Sequence, residues 1–330
     1  MYNEGLVQYG IVKDFDKLGY FEAENHKRIM DGAKLAIRSG GLIAITGVIG
    51  SGKTTLMRKL QEEIRQEGKA TIAKSLSTEK RRVSINTLYT ALFIDLAVEK
   101  DYKIPTQPEK RERELQKLIK AQKKPVVLFI DEAHELHGKT LISLKRLIEV
   151  VEDGNGTLAV VIIGHPALAN DLKKPTMEEI GARAQVMPLH QSFSVKEKQK
   201  FLEWLIRKGS EEKKKLGDLM EQNAVDHMLE RLVTPLQIIY YLKQMINEAF
   251  HIGSPKVTIE VAQAVISTDI ESLEATLVRH GYNPVALSEQ LNASRAELKD
   301  FFRGLLPANK MDLFKREILK LGVVPQVTAM

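Results

Sequence analysis

Gly47-Val48-Ile49-Gly50-Ser51-Gly52-Lys53-Thr54 is the stretch that decides the fold. Its glycines let the backbone turn tightly, so that successive N–H groups converge on one anion. Immediately upstream, Leu42-Ile43-Ala44-Ile45-Thr46 is a short apolar run that predicts a buried strand. Downstream, Leu56, Leu60 and Ile64 recur at helical spacing, and Gly68 follows as a helix stop. Strand, glycine loop and helix in that order aim the helix N-terminus, with its positive dipole, at the same anion. The stretch fits G-x-x-x-x-G-K-[ST] in full, the pattern of a loop that wraps a phosphate chain. The expected nucleotide contacts are Gly47, Val48, Ile49, Gly50, Ser51, Gly52, Lys53, Thr54 and Thr55. Lys53 reaches the β- and γ-phosphates, and the Thr54 hydroxyl holds Mg2+.

Val126-Val127-Leu128-Phe129-Ile130-Asp131-Glu132 supplies the second half of the site. A strand apolar at every position is covered on both faces, and it delivers Asp131 to its C-terminal end, where open α/β sheets place their ligands. Asp131 is the second expected Mg2+ residue, and Glu132 the general base that polarises an attacking water. An apolar run ending in Asp-Glu is weak evidence by itself and strong evidence beside a P-loop. Adjacent acids so placed predict a nucleoside-triphosphate hydrolase rather than a small-molecule kinase, which needs no water-activating Glu.

Outward from these two motifs, strand and helix signals alternate as far as about residue 190. Further strands are expected at 71–76, 158–163 and 185–189, and helices at 54–65, 83–98, 109–124 and 139–152. That alternation means a parallel sheet with helices on both faces. Beyond residue 193 the strand signal stops, and helices are expected at 194–208, 222–231, 235–250 and 259–267. The turn residues Gly281-Tyr282-Asn283-Pro284 mark a further boundary. The expected division is a nucleotide-binding core over 1–193, a helical lid over 194–275 and a small helical unit over 276–330. The 330 residues contain no Cys, which removes disulfides, thiol nucleophiles and Cys-ligated metals and makes the cytosol the simplest compartment. Apolar stretches are far below the ~20 residues of a membrane span, so no membrane partner is expected. Lys+Arg 49 against Asp+Glu 43 gives a net charge of +6, which permits a nucleic-acid partner without requiring one.

At these residues the sequence resembles the AAA+ ATPases, and within them the ExeA/TniB/TnsC group, which includes target-selecting ATPases of transposons and is more distantly similar to MuB and IstB. The likeness runs through Tyr20-Phe21-Glu22-Ala23-Glu24-Asn25-His26, the P-loop, Asp131-Glu132-Ala133-His134 and Ile162-Ile163-Gly164-His165-Pro166-Ala167-Leu168. It implies a P-loop AAA+ sheet followed by a helical lid, ATP as the nucleotide and Mg2+ as its ion. It implies His165 as the polar sensor after the fourth strand, where Asn, Thr or Gln is more usual, and Arg183 as an arginine finger reaching a neighbouring subunit's nucleotide. The adenine walls would come from the lead-in, with Tyr20, Phe21 and His26 as candidates. The lid of AAA+ proteins often carries Gly-x-Pro-Arg; here Val233-Thr234-Pro235-Leu236-Gln237 lacks the arginine. Gln237 then either contacts nucleotide or the lid only packs. By resemblance the chain forms a ring or helical homo-oligomer, binds duplex DNA non-specifically, and selects a transposon's target for a transposase and target-selection proteins, a CRISPR-associated transposon being one context. The alternatives are an ExeA-like secretion ATPase, whose relatives usually continue into a membrane span, and a nucleotide-liganded DNA-binding regulator with little turnover.

Three successive cations, Lys80, Arg81 and Arg82, followed by Ser84, open a helix. Such a cluster suits a phosphate backbone, and the resemblance implies that loops here, and Lys139 at the start of the helix after the acidic strand, face the central channel of the assembly. These contacts read charge rather than base edges. The segment from Val285 to Phe302 has the pattern of a helix-turn-helix, with Ser294 as N-cap, Leu298 and Phe301-Phe302 inward, and Arg295, Lys299 and Arg303 outward. DNA reading and protein docking are equal readings of that unit.

Overall fold

The computed structural model describes residues 4–74, 83–97, 102–189, 193–211, 214–266 and 272–323. In chain order the elements are α1 (Glu4–Gln8), α2 (Glu24–Ser39), β1 (Gly41–Thr46), α3 (Lys53–Glu67), β2 (Thr71–Lys74), α4 (Ile85–Leu96), α5 (Pro108–Ala121), β3 (Val126–Ile130), α6 (Gly138–Asp153), β4 (Leu158–Gly164), α7 (Pro166–Leu172), α8 (Glu178–Gly181) and β5 (Ala184–Pro188). Helices follow: α9 (Val195–Gly209), α10 (Leu216–Leu219), α11 (Gln222–Arg231), α12 (Pro235–His251), α13 (Ile259–Val265), α14 (Leu273–Arg279), α15 (Pro284–Leu291), α16 (Arg295–Phe302) and α17 (Ala308–Lys320). No helix among the described residues is long and apolar enough to cross a membrane. The chain divides into two compact units.

The first unit, Glu24–Val48 with Lys53–His190, contains the sheet. Its order is β2-β3-β4-β1-β5 and every pairing is parallel, the P-loop AAA+ arrangement. Side chains alternate across it as strand geometry requires. Val126, Leu128 and Ile130 of β3 and Leu158, Val160 and Ile162 of β4 join one core with Leu92, Phe93, Leu115 and Leu144 from α4, α5 and α6. The intervening Val127, Phe129, Val161 and Ile163 are buried too, on the face that α2 and α3 cover. Each such Leu, Ile or Phe removed from water contributes roughly 1.5–3 kcal/mol, and β3 and β4 accordingly contain no polar side chain. β5 lies at the edge and is largely exposed. Helix α2 has no counterpart among the expected elements. Its stripe is Ile29, Met30, Ala33, Ala36 and Ile37, all buried, and alanines dilute the hydrophobic signal.

The second unit gathers Met1–Ala23, Ile49–Gly52 and Gln191–Met330. Its core joins Leu6, Ile11 and Phe15 of the N-terminal segment to Leu205, Met228, Leu242 and Ile246 of the helices. Lys243 Nζ fastens the same segment by donating to Asp14 Oδ1 at 2.8 Å and Asp16 Oδ2 at 2.6 Å. The first residues thus pack with the helices of this unit. Helix starts follow their caps. Thr234 and Gln237 form a capping box on α12, with Pro235 inside the first turn. At the C-terminal end, Asn283 caps α15, Asn292 closes it in the left-handed conformation, and Ser294 with Glu297 boxes the start of α16. Leu298 and Phe301 are buried, and Phe301 stacks edge-on against Phe314 of α17. Arg295, Lys299 and Arg303 are exposed.

Candidate active site

Parallel order brings the C-terminal ends of β1, β3 and β4 side by side, and the loops leaving those ends carry the expected chemistry. Gly47 N–H, leaving β1, donates to Gly164 O at the end of β4 at 3.1 Å. The P-loop then turns through Gly50 (φ 81°) and Gly52 (φ 89°), left-handed values that L side chains rarely adopt. Space forbids a side chain at Gly50 as well. A Cβ there would lie 2.7 Å from the Leu236 Cβ and 2.8 Å from Thr234 Oγ1. In the same unit Leu236 N–H donates to Gly50 O at 3.3 Å, and Ile49 N–H donates to Arg279 O at 2.9 Å.

Lys53 opens α3 and is only 7% exposed. Its ammonium donates to Val48 O at 3.0 Å. Burial pushes its pKa down, and the carboxylates of Glu132 and Asp131 oppose that shift. Its one hydrogen-bond acceptor among the described residues is a backbone carbonyl, which leaves ammonium protons for further acceptors. Thr54 Oγ1 donates to Asp131 Oδ2 at 3.2 Å, so the two residues expected to hold Mg2+ meet from separate elements. Ser51 Oγ and Thr46 Oγ1 are buried with no hydrogen-bond partner. Orphaned donors, a glycine cradle and a desolvated lysine fit a nucleotide's phosphates, and the Thr54–Asp131 oxygens fit the hard-oxygen preference of Mg2+.

Glu132 adopts φ 53°, ψ 39°, a left-handed conformation that is unusual for this residue type. The turn reverses the chain directly after β3 and leaves the Glu132 side chain partly exposed. Its amide donates to Asp131 Oδ1 at 2.9 Å. The 3-10 turn that follows brings His134 over the end of β4, where His165 begins α7. The two imidazoles stand 3.8 Å apart, centroid to centroid, at 42°. His134 Nδ1 lies 3.4 Å from Glu132 Oε2. Burial pushes both imidazoles toward the neutral form; for His165, burial first and then His134 and Lys53 lower the pKa to about 3. Gly164 permits this closeness, because a Cβ there would meet Leu168 Cδ2 at 2.8 Å and the His134 amide at 3.3 Å.

Arg183 precedes β5, with its guanidinium on Glu149 Oε1 at 2.6 Å and 60% of its side chain exposed. Gln237 spends its Oε1 on the amides of Val233 and Thr234, at 2.9 and 3.1 Å, so it serves as a helix cap. Phe21 packs on Phe193, Phe201 and Trp204 and lines a cleft of about 1050 Å3 in the helical unit with Lys200, Arg207, Lys214 and Lys256. Lys139 is exposed in the first turn of α6. Lys80, Arg81 and Arg82 lie outside the described residues. Two residues were missed. His134 was legible only as part of a motif, since its partner His165 is distant in sequence. Arg279 had no local signal linking it to the P-loop tip.

Residues 37–172 match the family described as AAA domain. Among curated proteins the chain is similar to general secretion pathway protein A of Aeromonas hydrophila, with 30% identity over 161 residues, 46% of this chain and 27% of that protein. The chain therefore spans about a quarter of that relative's length. Among solved structures it is similar to Cdc6p from Pyrobaculum aerophilum (TM-score 0.54, 16% identity, 96% of this chain and 87% of that one). It is similar also to the ORC2 protein of Aeropyrum pernix (TM-score 0.52, 15% identity, 97% and 87%). The RuvB Holliday junction branch migration motor of Thermotoga maritima follows (TM-score 0.50, 16% identity, 97% and 94%). At these identities the structural likeness establishes the fold, and the matched AAA domain contains the P-loop and the Asp131-Glu132 pair.

Proposed function

We propose that this chain is a Mg2+-dependent ATPase that assembles on duplex DNA while ATP is bound, and that hydrolysis releases it. The observation that carries the ATPase reading is the meeting of Thr54 with Asp131 at 3.2 Å, beside a buried Lys53 and a strained Glu132. Thr54 and Asp131 would hold Mg2+, which when bound neutralises phosphate charge. Lys53 and the loop amides bind the phosphates. Glu132 is the general base, holding the proton of the attacking water at its carboxylate. His165, uncharged, senses the nucleotide state as a hydrogen-bonding group. Arg183 acts on a neighbouring subunit's nucleotide, leaving Glu149 to do so.

The DNA reading rests on the chain's own cations, Lys80, Arg81, Arg82 and Lys139, which suit the phosphate backbone irrespective of sequence. The transposition role, marking a target and recruiting a transposase, rests on the resemblance of the sequence motifs. The match to general secretion pathway protein A favours a second reading, an ATPase serving secretion without DNA.

Glu132→Gln separates them. Gln is nearly isosteric and the phosphate-binding residues remain, so ATP should still bind while turnover falls about a hundredfold or more. On the DNA reading, blocked hydrolysis traps the assembling state. Complexes with duplex DNA then outlive those of the wild type after dilution into ATP. Equal release rates with turnover abolished would reject the switch, and no DNA binding by either protein would favour the secretion reading.

A further inference from the structure

The His134–His165 pair has a property that phosphate chemistry does not use. One ligand atom from each of Glu132, His134 and His165 lies within 4.8 Å of the other two. The Nδ1 atoms of both histidines are buried with no hydrogen-bond partner. For His134 that atom is the one 3.4 Å from the Glu132 carboxylate. The His165 ring also hydrogen-bonds the Gly47 backbone, and with Nδ1 unpartnered the other ring nitrogen is left to make that bond. A backbone contact of this kind fixes the orientation of a ring, as the support of metal-ligating histidines does. The group is built on rigid parts. β3 and β4 are paired, with Ile130 opposite Ile162, and the side chains project from the turns that leave the two strands. Gly164 keeps the gap closed.

We infer that Glu132, His134 and His165 form a site for a divalent transition-metal ion of the Zn2+ class. Two imidazole nitrogens and one carboxylate oxygen suit borderline-soft ions such as Zn2+ and Co2+. They do not suit Mg2+, which demands oxygen ligands in near-octahedral geometry. Ligand bonds of about 2.0–2.1 Å require the three atoms to draw together by roughly an ångström, through rotation of the partly exposed Glu132 side chain and of both imidazole rings. Three protein ligands leave a fourth tetrahedral position to water. Binding does not depend on the ATPase reading. Its consequence does rest on that reading: a metal held here engages the Glu132 carboxylate and removes the general base, so such ions inhibit turnover without competing for the Mg2+ residues Thr54 and Asp131.

The test is Co2+ titration of the nucleotide-free full chain in excess Mg2+, read by visible absorption, which is strong for tetrahedral and weak for octahedral Co2+. One equivalent should bind with the strong spectrum, and Zn2+ should displace it one for one. His134→Ala with His165→Ala, and separately Glu132→Gln, should weaken Co2+ affinity at least tenfold. Thr54→Ala should leave it unchanged. Circular dichroism shows whether each variant folds, and the near-isosteric Glu132→Gln carries the test should the histidine double variant unfold. A weak octahedral spectrum in the wild type would overturn the site, as would undiminished affinity in a folded Glu132 or histidine variant or equal weakening by Thr54→Ala.

Discussion

Lys53 is a buried charge whose proposed phosphate role and cost to the fold can be separated by one substitution. Its ammonium is buried, bonded to the Val48 carbonyl at 3.0 Å, and its pKa is depressed by desolvation. Loss of a charge-assisted hydrogen bond to phosphate costs roughly 1.5–3 kcal/mol, or about ten- to a hundredfold in affinity. Lys53→Met should therefore lose nucleotide binding by at least that factor, as measured by titration calorimetry. The same substitution removes a buried charge and keeps the aliphatic volume, so the nucleotide-free melting temperature should hold or rise. A variant that binds ATP normally would remove the phosphate role, and one that melts early would show that Lys53 supports the fold.

At the scale of elements, periodic and capped segments were legible in the sequence. β3 occupies the expected 126–130, and α11 the expected 222–231, because a uniformly apolar run and a helical stripe are local properties of the chain. The P-loop was legible because its residue types are fixed by phosphate geometry. Helix α2 was missed where alanines replaced larger apolar residues. The association of Leu6, Ile11 and Phe15 with α9 and α12 was missed because it depends on side chains some two hundred positions away. The His134–His165 pairing was missed for the same reason, since it exists only once β3 and β4 are neighbours. Close packing between elements is likewise invisible locally, and Gly181 is the test. It ends α8, and a Cβ there would sit 1.8 Å from the Leu172 carbonyl oxygen of α7. That neighbour is backbone, so Gly181→Ala should destabilise the sheet unit by at least about 3 kcal/mol in urea unfolding. Gly217→Ala, in α10 with nothing within 4 Å, should instead stabilise by roughly 0.5 kcal/mol. Similar effects from the two would mean that the α7–α8 contact yields freely.

At the scale of the whole molecule, the proposed cycle requires more than one copy of the chain, and Arg183 carries that requirement. Within one chain its guanidinium rests on Glu149 with most of the side chain in solvent, and an exposed ion pair of this kind is cheaply broken. An arginine so placed can leave its partner for a stronger anion, the phosphoryl group bound to a neighbour. Arg183→Ala should leave nucleotide affinity nearly intact and lower turnover on the order of a thousandfold. Mixing distinguishes action between subunits from action within one. In an assembly of Arg183→Ala and Glu132→Gln chains, some contacts join an intact arginine to an intact Glu132, and those contacts should hydrolyse ATP although neither variant does so alone. Activity should peak near equal proportions and vanish at both extremes. Co-assembly is checked independently by fluorescence transfer between labelled chains. No recovered activity in mixtures that demonstrably co-assemble would place the action of Arg183 within its own subunit.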